Sequence, residues 1–148
     1  MRKGDTSALH RILSDPEVMR FIEPPFTLER TAAFIKSAGM CCPPLVYAII
    51  PRNDDRLIGH LIYHPYDEAS WEIGWVLRRD CWGIGFATEL TRAVIQHARS
   101  AKIAGLVLEC AEAQHASCRI AEKCGFVLVN NTDGLAVYRL ALTGEGQL

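Results

Sequence analysis

The chain carries no excess of either charge: 16 Lys and Arg stand against 17 Asp and Glu, for a net charge of −1. A protein that tracks a phosphate backbone needs a basic surplus to displace counterions, so nucleic acid is not expected as a partner. Long apolar runs are also missing. The longest charge-free stretch, Ala38 to Pro51, falls short of the ~20 residues of a membrane span and is interrupted by Pro43 and Pro44, so no membrane partner is expected either. Arg2 and Lys3 lead into polar residues rather than an apolar segment, and no export signal is read. Metal-binding spacings are absent. The cysteines (Cys41, Cys42, Cys81, Cys110, Cys118, Cys124) include no CxxC pair, and the histidines supply no HxxxH or HExxH on a helix. His60 and His64 are four apart, but in a β-like run that spacing marks one face of a strand. No metal is expected, and the thiols read as small hydrophobes of a reduced, cytoplasmic protein.

What is present is an ordinary globular balance. In 148 residues, 49% are hydrophobic and 22% charged, which suits one domain over residues 1–148 able to bury its own core. Residues 6–20 predict a helix with Ala8, Leu9, Ile12 and Leu13 on one face, restarted at Asp15-Pro16. Thr27 is placed to cap a helix from Leu28 to Ala38, with Gly39 ending it. Leu45–Ile50 and Arg56–Tyr63 predict a hairpin, and Trp71–Leu77 a third strand. A helix from Phe86 to Ala101 follows, with Ala87, Leu90, Val94 and Ala98 on one face. Then come a strand at Ala104–Cys110 and a helix at Gln114–Cys124 ended by Gly125. Two strands, Val127–Val129 and Leu135–Leu140, close the chain across a connector at Asn130–Gly134. That order predicts a mixed α/β sheet.

The sharpest chemical signal is the turn from Gly83 to Thr88. A strand ends, two glycines two apart bend the backbone, and a helix begins. The first turn of a helix leaves about four N–H groups without internal partners at the positive end of its dipole, and glycine lets an anion approach them. A glycine turn with no ligand would look the same. A dinucleotide site would need GxGxxG and an acidic residue some 20 positions on. Here the run is GxGxxT, and Lys102, Ile103 and Ala104 stand near that offset.

The segment Trp82-Gly83-Ile84-Gly85-Phe86-Ala87 resembles the acyl-CoA motif of GNAT acetyltransferases, Gln/Arg-x-x-Gly-x-Gly/Ala. Trp82 departs from the general motif but matches the branch that acetylates ribosomal-protein N-termini at alanine or serine. Leu13–Met19, Leu57–His60 and Glu72–Leu77 are similar to that branch too. Gln114-His115-Ala116-Ser117 with Glu122–Phe126 resembles the family's Asn-x-x-Ser…Glu-Lys-x-Gly-Phe block.

The resemblance implies a mostly antiparallel central sheet with helices on both faces and a splay between strands 71–77 and 104–110. The family's first strand would here be short or missing. It implies acetyl-CoA as co-substrate and direct transfer of its acetyl group to a primary amine, on a protein N-terminus or a small molecule. Pantetheine would pair near Val76 and Leu77, and pyrophosphate would rest on Trp82, Gly83, Ile84, Gly85, Ala87 and Thr88. Gln114 and Ser117 would lie near the sulfur. The amine must lose a proton and the thiolate gain one. For the first task the resemblance points to Glu109, five residues before Gln114, and to Glu72, ten before Trp82; a carboxylate facing solvent or paired with Arg78 is the plain alternative. For the second it points to Ser117, which could instead merely cap its helix, with Tyr138 on the last strand as another hydroxyl. Relatives carry a tyrosine where this chain has Ala121, so a catalytically weak acyl-CoA-binding module remains the alternative function, with a nucleotide-binding domain behind it. With the first strand missing, the sheet edge invites a second copy of the chain or the C-terminal tail to cover it.

Overall fold

Strand β1 (Val46–Ile49) pairs antiparallel with β2 (Gly59–Pro65), from Val46–Ile62 to Ile49–Gly59, which is the expected hairpin in a computed structural model that describes residues 1–143. The second strand starts later than its apolar run suggested. Arg56 is held in the turn instead, its backbone N–H on the Asp54 carboxylate at 3.0 Å and its side chain on both carboxylate oxygens. Strands β3 (Ser70–Leu77), β4 (Gly105–Ala111), β5 (Val127–Thr132) and β6 (Leu135–Ala141) complete a six-stranded open sheet in the order β1-β2-β3-β4-β6-β5. Only β3 and β4 run parallel among the paired registers. A parallel pair needs a long crossover, and helix α4 (Phe86–Ser100) supplies it.

Contacts divide the chain into two compact units, Met1–Tyr63 with Trp75–Ile84, and His64–Gly74 with the chain from Gly85 onward. In the first unit, helices α1 (Thr6–Leu13), α2 (Pro16–Met19) and α3 (Leu28–Phe34) form where caps and periodicity predict them. The Asp15 carboxylate accepts the Glu17 N–H and the Thr27 hydroxyl accepts the Arg30 N–H. The apolar face of α1 places Leu9, Ile12 and Leu13 in a core with Val18, Phe26 and Ile35. Helix α3 is shorter than its pattern suggested: residues Ile35–Gly39 widen into a π turn closed by Met40 N–H on the Ile35 carbonyl. No strand precedes α1 among the described residues; Lys3–Asp5 form a single 3₁₀ turn. The C-terminal end suggested as a cover for the sheet edge, residues 144–148, lies outside the described residues.

In the second unit, β4 is buried through Gly105–Leu108 and at Cys110, as a continuous apolar strand covered on both faces must be. All seven of its residues pair with β6, whereas its ladder with β3 has three pairs, Ser70–Gly105, Trp71–Leu106 and Glu72–Val107. The parting expected of these strands therefore shows in the register. Helix α5 (His115–Lys123) ends at Gly125, whose φ of +92° is the left-handed conformation a glycine accepts without strain. The connector expected at Asn130–Gly134 shrinks to Asp133-Gly134. Asn130–Thr132 continue β5, and a bulge between Leu128 and Asn130 absorbs one extra residue.

Candidate active site

The strand-to-helix loop has the backbone its glycines suggested. Gly83 (φ +71°) and Gly85 (φ +97°) are both left-handed, and Gly85 is the N-cap of α4. With no side chain, Gly85 cannot cap the helix, and the first intrahelical bond is Glu89 N–H to the Gly85 carbonyl. The N–H groups of Phe86, Ala87 and Thr88 precede that bond, so helix geometry gives them no internal partner. A Cβ added at Gly83 or Gly85 would meet no atom within 4 Å, so the loop surface is open. Thr88 and Gly85 line a depression of about 490 Å³ with Arg92, Gln96 and Lys123.

Trp82 has a definite job. Its indole N–H donates to the carbonyl of Leu77 at 2.9 Å, tying the loop to the end of β3. The Leu77 carbonyl is thereby occupied. Val76 and Leu77 are buried, Val76 with its carbonyl against Gly59, while Ile84 is 67% exposed. Gln114 takes the N-cap position of α5 without a side-chain capping bond, and Ser117 sits within the first turn. The reading of Ser117 as the helix cap is thus corrected: the cap position, Gln114, lies three residues earlier.

The two candidate glutamates belong to one cluster in the second unit. Glu72 faces Val107 across the parallel ladder. Glu109 lies two residues further on β4, and side chains two apart share a face. Neither is paired with Arg78, which binds Asp80 instead. Glu72 is half-buried beside His64, with Nε2 3.3 Å from its carboxylate. Burial pushes its carboxyl above the usual range; His64 opposes that shift and the Glu109 charge adds to it. Glu109 accepts a hydrogen bond from the Tyr66 hydroxyl at 2.6 Å. That bond, more than burial, holds the Tyr66 phenol above its ordinary value.

The β2–β3 turn that presents Tyr66 is itself pinned. The Asp67 carboxylate accepts the N–H groups of Ala69 (3.0 Å) and Ser70 (2.7 Å) and pairs with Arg139 at 3.0 Å, while Arg139 also lies over the Tyr66 ring. His64 and Tyr66 were not singled out from the sequence as site residues. The available signal was their place between the strands expected at Arg56–Tyr63 and Trp71–Leu77, but only the β3–β4 register brings that turn to Glu109. Tyr138 is buried, donates to Glu122 at 3.3 Å, and is pushed upward by burial. Ala121, the position at which the resemblance led to the expectation of a tyrosine, is fully buried.

All six thiols are free. Among the described residues no group of His, Cys, Asp and Glu is arranged to hold a metal ion, and no helix is long and apolar enough to cross a membrane.

Residues 1–127 match the acetyltransferase (GNAT) domain family. The chain is 30% identical over 125 residues to the uncharacterized N-acetyltransferase YnaD of Bacillus subtilis (strain 168), covering 82% of this chain and 72% of that protein. Among solved structures, a GNAT-family acetyltransferase from Bacillus anthracis superimposes with a TM-score of 0.87 at 24% identity, covering 97% of this chain and 93% of that one. The ribosomal L7/L12 α-N-protein acetyltransferase RimL, in complex with coenzyme A, gives a TM-score of 0.81 at 18% identity, covering 95% and 90%. With the family match running through the helices, strands β1 to β4 and the glycine loop described above, the chain belongs to the GNAT family of N-acetyltransferases.

Proposed function

We propose that the chain moves the acetyl group of acetyl-CoA directly to a primary amine within a ternary complex. The amine belongs to a protein N-terminus or to a small molecule. One observation carries this reading: two left-handed glycines hand the backbone to an uncapped helix start, where free N–H groups and the helix dipole suit a diphosphate. Both units act together as one catalytic domain, a view supported by the family match running through both. The setting is cytoplasmic, with the thiols reduced.

In this reading Gly83, Ile84, Gly85, Ala87 and Thr88 hold the pyrophosphate, Trp82 ties the loop to the Leu77 carbonyl, and the end of β3 at Val76 and Leu77 lies along pantetheine. Gln114 and Ser117 border the arm near the sulfur. The amine nitrogen attacks the thioester carbonyl, the C–N bond forms as the C–S bond breaks, and one proton passes from amine to the departing thiolate. Glu72, with its carboxyl raised by burial, and Glu109 serve as routes for the amine proton through water. Ser117 returns a proton to sulfur in this reading.

Calorimetric titration with CoA, followed by acceptor-dependent thiol release over a panel of peptide and small-molecule amines, tests the proposal. Micromolar CoA binding with amine-dependent release is expected. Tight CoA binding with no release from any amine would instead favour a non-catalytic CoA-binding module, the reading that the buried Ala121 supports.

A further inference from the structure

Six cysteines are a large number for a chain whose proposed chemistry uses none of them, and two approach one another. The Cys110 Sγ lies 3.6 Å from the Cys118 Sγ, the one thiol–thiol contact among the described residues. Cys110 is buried near the end of β4; Cys118 is half-buried in the first half of α5, its sulfur 3.9–4.0 Å from the carbonyls of Glu112 and Ala111. Elsewhere the Cys41 thiol is turned to the Ala38 and Pro43 carbonyls and the Cys81 thiol to Asp80.

We propose that Cys110 and Cys118 are a redox modification site, closing to an intramolecular disulfide when the protein meets a hydroperoxide. A disulfide needs its sulfurs about 2.05 Å apart, so the pair must close by roughly 1.5 Å. The two ends are unequal. Strand β4 is held by seven register pairs with β6, whereas α5 starts at Gln114 without a side-chain cap. The helix start therefore moves toward the strand.

The chemistry divides by exposure. The Cys118 thiolate, nearer to solvent, attacks the peroxide: an S–O bond forms, the O–O bond breaks, and the departing hydroxide takes up the proton that the thiol released, leaving as water and giving a sulfenic acid. The Cys110 sulfur then attacks the Cys118 sulfur. The S–S bond forms, the S–O bond breaks, and the Cys110 proton departs with hydroxide as a second water. Burial and the neighbouring Cys118 push the Cys110 thiol up to about 12, which keeps it from reacting first; its 3.6 Å approach to the Cys118 sulfur, not its acidity, fits it to the resolving step. A small thiol reverses the bond by exchange.

The closed loop encloses Ala111–Ser117, and with it Gln114 and Ser117. On the acetyltransferase reading, oxidation therefore displaces residues beside the thioester and lowers turnover. This last consequence alone rests on that reading.

The test uses the full chain. Protein treated with hydrogen peroxide is denatured, alkylated with N-ethylmaleimide and weighed, then digested and mapped. Treated protein should take four labels rather than six, with Cys110 and Cys118 linked, and six again after dithiothreitol. A Cys118→Ser variant should take five labels with or without peroxide, and a Cys41→Ser/Cys42→Ser variant should still lose two. Loss of labels confined to other cysteines, or conversion of Cys118 to a sulfinic acid with Cys110 still free, overturns the proposal. In the same samples turnover should fall at least about threefold and recover on reduction. A disulfide that leaves turnover unchanged removes the regulatory consequence, whereas a protein inactive in both states argues against acetyl transfer and leaves the thiol pair standing.

Discussion

Replacing Gly85 separately by Gln and by Glu puts the same length of side chain at the same backbone position and changes only the charge. Gly85 is left-handed at φ +97°, so either side chain strains the loop by about 1–2 kcal/mol. Nothing lies within 4 Å of the added Cβ, so both side chains leave the backbone into open space. The strain cancels in the comparison. If a diphosphate rests on the amides that follow, a Glu carboxylate roughly 6 Å from two phosphate charges at an effective dielectric near 60 costs about 2 kcal/mol. Calorimetry should then find the Glu variant about 20- to 30-fold weaker for CoA than the Gln variant, with the gap narrowing at 0.5 M salt as screening shortens to a few ångströms. Stability should move the opposite way. A negative charge at the start of α4 complements the helix dipole, so the Glu variant should unfold at equal or higher urea than the Gln variant. Affinities within twofold of each other would refute the anion site at this helix start.

The close approach of β2 and β3 gives a second expectation. A Cβ at Gly59 would stand 2.0 Å from the Val76 carbonyl oxygen, a backbone atom, so Gly59→Ala should lose at least about 3 kcal/mol in urea unfolding; a loss below about 1 kcal/mol would contradict that packing. Acid should act through His60, which is buried against Phe34 and held down to about 4 by burial. Between pH 6.5 and pH 4 the unfolded chain binds the proton that the folded chain refuses, so stability falls as pH falls through that window, by up to about 3 kcal/mol. In His60→Leu that part of the acid loss should vanish in urea titrations at the two pH values, and an unchanged loss would assign it to other groups. Finally, Glu72→Gln or Glu109→Gln should lower kcat about 10- to 100-fold with CoA affinity unchanged, identifying which carboxylate carries the proton. Full activity in both would mean that solvent takes it.

Local chemistry was legible where neighbours in the chain decide the outcome. Asp15 and Thr27 cap the helices they precede, Gly85 and Gly125 take the left-handed turns at a helix start and end, and the apolar run of β4 is buried. Boundaries were misplaced where a side chain competes with the ladder or the helix. Arg56 is bound to Asp54 instead of opening β2, and α3 relaxes into a π turn. The pairing of candidate residues was not legible. Arg78 serves Asp80, Glu72 meets His64, and Glu109 meets Tyr66 across 43 positions of sequence.

The order of residues alone settled which segments bend, coil or extend, and that a helix would begin with bare amides after two glycines, because those outcomes depend on atoms a few bonds apart. Folding decided which carboxylate has a phenol and which an imidazole for a neighbour, and that two of six thiols touch. Those meetings hang on strand register, and a shift of one residue would turn each side chain to the opposite face.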